Sequence, residues 1–278
     1  MLQKGKMVIG RRRFCVCACA ANFAPARAHA QAVLASAGLA DPALVEDLVA
    51  ANRILFDQGV VDGFGHVSAR HDKDPSRFLL SRSMAPGLVT ADGIMEFDLD
   101  GNPVDARGRA VYLERFIRGE IFRLHPAVMS VMHSHSPAVI PFGVSRASLK
   151  PIYHMSGFLG AGAPVFEIRD AGGPATDMLI RNRELGRALA TALGEHPVML
   201  MRGHGSVVVG PSIRESVFRA VDVPGGRHRG ERPHGERGPA AWRRHVPERT
   251  GSGPGHEDQR RPGEPPWELW RKKAMESR

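Results

Sequence analysis

Two histidines separated by one residue, His133-Ser134-His135, close an apolar run, Val128-Met129-Ser130-Val131-Met132. In an extended strand the side chains at i and i+2 share a face, so both imidazoles can address one ion. A His-x-His pair alone is equally at home on a surface or in a core. A third imidazole, His204, stands between Gly203 and Gly205 at the end of a second apolar run, Pro197-Val198-Met199-Leu200-Met201. Glycine on both sides lets the backbone approach closely there, although His204 by itself also fits the plainer role of a polar residue in a glycine turn. Three imidazoles ending two apolar strands suit a divalent cation with one position left open for substrate. Glu114, upstream of His133, opens a segment with helical periodicity that leads into the first histidine strand. A carboxylate near a helix N-terminus is favoured by the helix dipole on structural grounds alone. Glu120, one and a half turns later and on a different face, is the alternative acid.

These side chains need a framework, and the sequence marks one. Asp41 can cap a helix whose first turn holds Pro42 and whose apolar face carries Leu44, Val45, Leu48, Val49, Ile54 and Leu55, with an end near Gly59. A Gly-rich turn, Asp62-Gly63-Phe64-Gly65, leads into the alternating run 66–70. Residues 78–81 and 94–97 read as further strands, and Asp100-Gly101-Asn102 as a hairpin turn. A helix is predicted over 112–124, lined by Leu113, Phe116, Ile117, Ile121 and Leu124 and ended by His125-Pro126. A short apolar strand is expected before Tyr153, a helix over 177–193, strands at 197–201 and 207–209, and a helix from Pro211 to Ala220. Strands and helices mix without strict alternation, so a layered α/β fold with a mixed sheet is expected. No internal repeat is present.

Taken together, Glu114, His133-Ser134-His135-Ser136, Arg202-Gly203-His204-Gly205 and the earlier Gly65-His66-Val67-Ser68-Ala69-Arg70 resemble the class II aldolase/adducin family over about residues 43–221. The combination is specific to the family, although no single motif is. The resemblance implies a three-layer α/β/α fold around a central mixed, largely antiparallel sheet, usually in a homotetramer with sites at subunit interfaces, which for this chain requires an intact C-terminal region. It further implies that His133, His135 and His204 bind Zn²⁺ or a similar cation such as Fe²⁺ or Mn²⁺, and that Glu114 is the acid/base. Cleaving a carbon–carbon bond beside a carbonyl leaves negative charge on an enolate oxygen, which a divalent cation stabilises as a Lewis acid. Glu114 can exchange the proton if its pKa is tuned toward neutrality. Sugar-phosphate aldolases of the family cradle the phosphate with an Asn in the early Gly-rich motif and a Ser pair before the catalytic Glu. Here His66 and Tyr112-Leu113 stand at those positions, so the phosphate cradle is lost. A non-phosphorylated hydroxy or hydroxyaromatic acid becomes the expected small-molecule substrate, with aldolase and decarboxylase chemistry both open. Arg82, His66, Ser68 and His154 are its candidate contacts. Arg82 can hold a carboxylate by a bidentate pair or can simply be a solvated residue after a strand, and His154, like Tyr153, either reaches the pocket or only packs.

The net charge of +9 over 278 residues is concentrated at the two ends. Residues 1–30 hold six basic and no acidic side chains, and 222–278 hold thirteen against nine, which leaves 31–221 with nineteen basic and twenty acidic. No nucleic-acid or membrane partner is therefore expected for the body. The three cysteines, Cys15, Cys17 and Cys19, fall in one run, so neither disulfides nor thiolate ligation can serve the rest of the chain. Arg11-Arg12-Arg13-Phe14, the apolar stretch to Ala24 and Ala28-His29-Ala30 read as a twin-arginine signal peptide over 1–30, with periplasmic export, or otherwise a cytoplasmic location with a later start or a disordered basic leader. From 222 to 264 the composition turns to Arg, Gly, Pro, His and Glu with almost no apolar periodicity. A frameshift near Val221, with the frame restored before Pro265-Pro266-Trp267, accounts for this tail, and sequencing the coding DNA tests it. From Pro266 a short amphipathic helix is again expected. Three other functional readings keep the fold: an Fe(II)-dependent oxygenase using the same three histidines, a non-catalytic adducin-like interaction module, and an enzyme that binds metal but is inactive because of its tail. Retention of all three histidines and Glu114 argues against the module.

Overall fold

The computed structural model describes residues 34–224 and 264–276. The twin-arginine segment, its cysteines and most of the Arg/Gly/Pro-rich stretch lie outside the described residues.

Helix α1 (Pro42–Asp57) begins where the Asp41 side chain accepts from the Ala43 N–H, and it buries Leu48, Val49, Ala50, Ala51, Ile54 and Leu55. Its buried Asn52 also accepts from the Val67 N–H at 3.3 Å, which ties the helix to the first strand. Seven strands follow: β1 (His66–Arg70), β2 (Arg77–Ser81), β3 (Ile94–Asp98), β4 (Ser130–Ser134), β5 (Val165–Phe166), β6 (Val198–Met201) and β7 (Gly205–Gly210). They form one sheet in the order β3-β2-β1-β4-β7-β6-β5. Every neighbouring pair is antiparallel except β5 and β6, so the sheet is mixed and largely antiparallel, as expected.

Alternation along the strands sorts the core onto two faces. Val67, Ala69, Met132 and Val208 pack with α1, α6 (Ile213–Asp222) and α7 (Glu264–Glu276). Val131, Val207 and Val209 face the other way, with Phe78, Phe97, α2 (Phe116–Leu124) and α5 (Arg183–Leu193). Two helical layers thus sandwich the sheet. The short helices α3 (Ile140–Val144) and α4 (Arg169–Gly172) lie in the connections. Helix α7 buries Trp267, Trp270 and Ala274 in the first of these cores, so the sequence from Pro266 onward is an integral part of that layer.

Three elements differ from the sequence expectation, and two of the differences bear on chemistry. The expected helix over 112–124 starts at Phe116; Leu113–Arg115 form a 3₁₀ turn in which Glu114 is non-helical, with φ −87° and ψ 23°. Glu114 therefore precedes the α-helix instead of opening it. The expected helix over 177–193 starts at Arg183, capped by the Asn182 side chain. Met178 takes the left-handed conformation at φ 65°, and the Met178 carbonyl and Ile180 N–H bond to site side chains instead of within a helix. No strand precedes Tyr153; a 3₁₀ helix, His154–Leu159, stands there.

Candidate metal centre

His133 is the fourth residue of β4, on the α2 side of the sheet, and it is fully buried. His135 lies just past the strand end, and His204 sits in the tight turn between β6 and β7. That turn can close only on glycine. Gly203 has φ +65°, and a Cβ on Gly205 would stand 2.0 Å from the Ser134 carbonyl oxygen. The small residue lets β7 run directly against the end of β4, which brings His204 to the two histidines of the other strand. Their Nε2 atoms converge, with His135 2.9 Å from His133 and 3.0 Å from His204. Glu114 Oε2 lies 3.4 Å from His133 Nε2 and 3.3 Å from His204 Nε2. One ligand atom from each of the four residues falls within 4.8 Å of all the others.

The surrounding hydrogen bonds fix which atoms face inward. His133 Nδ1 is 3.0 Å from the Ser206 carbonyl and His204 Nδ1 is 2.9 Å from the Met178 carbonyl. A carbonyl only accepts, so both Nδ1 atoms carry the proton and both Nε2 atoms present lone pairs. Glu114 Oε1 accepts from the Ile180 N–H at 2.9 Å, which leaves Oε2 for the cluster. Lone pairs of His133 and His204 Nε2 and of Glu114 Oε2 thus point at one volume, which His135 Nε2 also enters. A divalent cation satisfies them together, and the outer hydrogen bonds to carbonyl groups are the kind that orient metal-bound imidazoles.

The electrostatics follow from burial. His133 is held below the usual imidazole range by burial, against the opposing pull of Glu114. Burial first, then the neighbouring imidazoles, lower His135 to about 4. For His204 burial again pulls downward, but hydrogen bonding and charge from Glu114 outweigh it and raise the pKa. Burial pushes Glu114 upward, while its contacts with His133 and His204 outweigh that and hold the carboxyl well below the carboxylate range. The direction is opposite to the tuning toward neutrality expected from sequence, because two imidazoles adjoin the carboxylate.

The other candidates divide. His66, the first residue of β1, pairs in register with His133, and the two rings are 5.7 Å apart. The Tyr112 ring meets it edge-on at 4.0 Å, with the Tyr112 hydroxyl donating to the Met84 carbonyl at 2.5 Å. Ser68 is not brought to the cluster, since its buried hydroxyl donates across the sheet to the Val131 carbonyl. Arg82 is exposed beyond the end of β2, where continuation of the β1–β2 register sets it opposite His66. His154 is exposed on its 3₁₀ turn beside the Tyr153 ring, away from the cluster's own contacts. Tyr153 donates to Asp222 at 2.6 Å. Glu120 faces α5, 3.0 Å from Arg183 and 3.3 Å from Arg123, and takes no part in the centre.

Two side chains at the centre were not picked out from sequence. Arg118 is fully buried beside His66, and its position four residues after Glu114, on the same helical face, was the available signal. Phe64 is 70% exposed on the Gly-rich turn, its ring 6.3 Å from that of His135, so it stands at the open rim of the cluster.

Comparison with known proteins gives concordant results. Residues 46–224 match the model of the class II aldolase and adducin N-terminal domain. The chain is 40% identical over 189 residues to decarboxylase tropJ of Talaromyces stipitatus, covering 64% of this chain and 71% of that protein. It is 30% identical over 193 residues to the 3,4-dihydroxyphthalate decarboxylase of Arthrobacter keyseri, covering 64% and 73%. Among solved structures, an aldolase II superfamily protein from Pseudomonas syringae superposes with a TM-score of 0.54 at 22% identity, over 64% of this chain and 69% of that one. At that identity the superposition speaks for the fold.

Proposed function

The chain belongs to the class II aldolase and adducin family, as a metal-dependent lyase, and on that footing we propose that it decarboxylates a hydroxyaromatic acid. The observation that carries the reading is the convergence of the His133, His135 and His204 Nε2 atoms with Glu114 Oε2, in a chain with relatives named decarboxylases at 40% and 30% identity. His133, His135 and His204 hold a divalent cation, and zinc is the metal tested first. When bound, it supplies Lewis-acid stabilisation of negative charge on a substrate oxygen.

The protein's own groups do the rest. Glu114, whose Oε2 faces the cluster beside His133 and His204, takes the proton of a ring hydroxyl and delivers it to the ring carbon that bears the carboxylate. The bond from that carbon to the carboxylate then breaks, carbon dioxide leaves, and the electron pair restores the aromatic ring. Fixing Glu114 Oε1 on the Ile180 N–H aims the second oxygen, so the proton moves along one path. His66, beside His133, suits an anionic group of the acid, and Arg82, exposed past the end of β2, is assigned as a bidentate partner for a carboxylate. Phe64 at the rim offers a ring face to an aromatic substrate.

In this reading the protein is a homotetramer, exported by the twin-arginine route. Light scattering of the purified protein tests the assembly, and fusion of residues 1–30 to a reporter tests export. The function is tested by supplying zinc-loaded protein with 3,4-dihydroxyphthalate and a panel of hydroxybenzoic acids and measuring carbon dioxide. Release that stops on chelation and returns with zinc is the expected result. Aldehyde release from a hydroxy acid, with no carbon dioxide from any aromatic acid, would replace the decarboxylase reading with an aldolase one.

A further inference from the structure

Arg118 on α2 is fully buried, yet among the described residues no carboxylate lies within ion-pair distance of it. Its Nη1 donates to the Glu114 carbonyl at 3.1 Å. Its Nη2 lies 2.5 Å from His66 Nδ1 and 3.4 Å from the His66 carbonyl. Its Nε has no partner. Enclosing a guanidinium on such terms is unfavourable relative to a fitted apolar side chain, which directs attention to what it does to its neighbours.

A guanidinium has only donor hydrogens. His66 Nδ1 must therefore accept, and the proton of the neutral ring must sit on Nε2. The Tyr112 ring, edge-on at 4.0 Å, flanks the imidazole, and backbone pairing across β1 and β4 sets it beside His133. Among the described residues, no protein group bonds to His66 Nε2. We propose that Arg118 is a positioning residue that locks His66 in the Nε2–H tautomer, so that a neutral N–H donor is presented to an anionic carboxylate or phenolate oxygen of the substrate. Without Arg118 the proton is free to move to Nδ1, and the ring then offers the substrate a lone pair that repels the anion. The identity of the anion rests on the lyase reading above; the tautomer does not.

Long-range ¹H–¹⁵N correlation spectra of the zinc-loaded full chain test the proposal, with the His66 signal assigned through His66→Gln. The wild type is expected to show His66 protonated at Nε2 and not at Nδ1, without substrate. Arg118→Met should shift that signal to the Nδ1–H or a mixed form while bound zinc stays at the wild-type level. Arg118→Lys keeps a donor and should keep the Nε2–H form. With 3,4-dihydroxyphthalate as the probe, Arg118→Met should raise KM about tenfold or more, the loss of one hydrogen bond to a charged group. His66→Gln, which retains an N–H near the Nε2 position, should lie closer to wild type than His66→Leu. A wild-type His66 protonated at Nδ1, or an Arg118→Met spectrum identical to wild type, would overturn the proposal. If Arg118→Met does not fold, the wild-type and Arg118→Lys spectra still decide. If the wild type releases no carbon dioxide from any acid, the lyase reading fails, and the tautomer spectrum judges the role of Arg118 by itself.

Discussion

At the scale of single residues, the centre is defined by which atoms are left facing inward. His133 and His204 each place Nδ1 on a backbone carbonyl and leave Nε2 for a cation. Removing two of the three imidazoles should abolish binding, so His133→Ala/His135→Ala is expected to carry only background metal by elemental analysis while remaining folded by circular dichroism. Glu114 should separate from the ligands in its effect. Glu114→Gln preserves shape and the Ile180 contact; it should retain metal and lose about 10²- to 10⁴-fold in carbon dioxide release, the range for a lost general acid/base. Metal lost together with activity in Glu114→Gln would make the carboxylate a ligand first. At this scale the sequence was informative where chemistry is local: His133 and His135 share a strand end, and His204 is bracketed by glycines. It was silent where chemistry depends on a partner. Ser68 stands in one of the motifs that carried the family resemblance, yet its hydroxyl is held by the Val131 carbonyl, a contact set by strand pairing. Arg118 is not legible in the sequence as a buried group, because a single arginine on a helix ordinarily means solvent.

At the scale of elements, the meeting of β4 with the β6–β7 turn matters most. Ser134 pairs with Ser206, and Gly205 fits directly under the Ser134 carbonyl. Gly205→Ala puts a methyl where backbone atoms already are, so it is expected to cost about 3 kcal/mol or more by the overpacking rule, read as a fall in the urea midpoint, and to lower metal affinity. An unchanged midpoint would mean that β7 is not held against β4 as described. The two helix starts misplaced from sequence have a common cause. Residues 113–115 and 177–182 carry helix-compatible side chains, but the site draws on their backbone and side-chain groups: Glu114 reaches the cluster from a 3₁₀ turn, the Met178 carbonyl orients His204, and the Ile180 N–H orients Glu114. Tertiary demand overrides local propensity at such places. The strands were legible because their alternation reports burial directly, and α1 because Asp41 and Pro42 mark its start.

At the scale of the whole molecule, the layer of α1 and α6 is completed by α7. Trp267 is 2% exposed in the core shared with α1 and α6. Trp267→Ala should therefore cost about 3–5 kcal/mol of unfolding free energy, and equilibrium urea denaturation checks this; a cost below about 1 kcal/mol would mean that the helix does not support the layer. Its existence was legible in the return of Trp and Leu after Pro266, whereas its docking on α1 was not, because nothing in the spacing names a partner. Metal should also stabilise the whole, since a ligand that binds only the folded state adds about 2.7 kcal/mol at a hundredfold excess over its Kd; the melting temperature should rise with zinc in the wild type and not in His133→Ala/His135→Ala. The central claim is most directly tested by measuring carbon dioxide release from hydroxyaromatic acids by the wild type and by His133→Ala/His135→Ala, each with and without zinc. The account predicts release from at least one acid by the zinc-loaded wild type, and background levels in the other three conditions. Release that persists in the double variant, or none from a folded, zinc-loaded wild type, would contradict it.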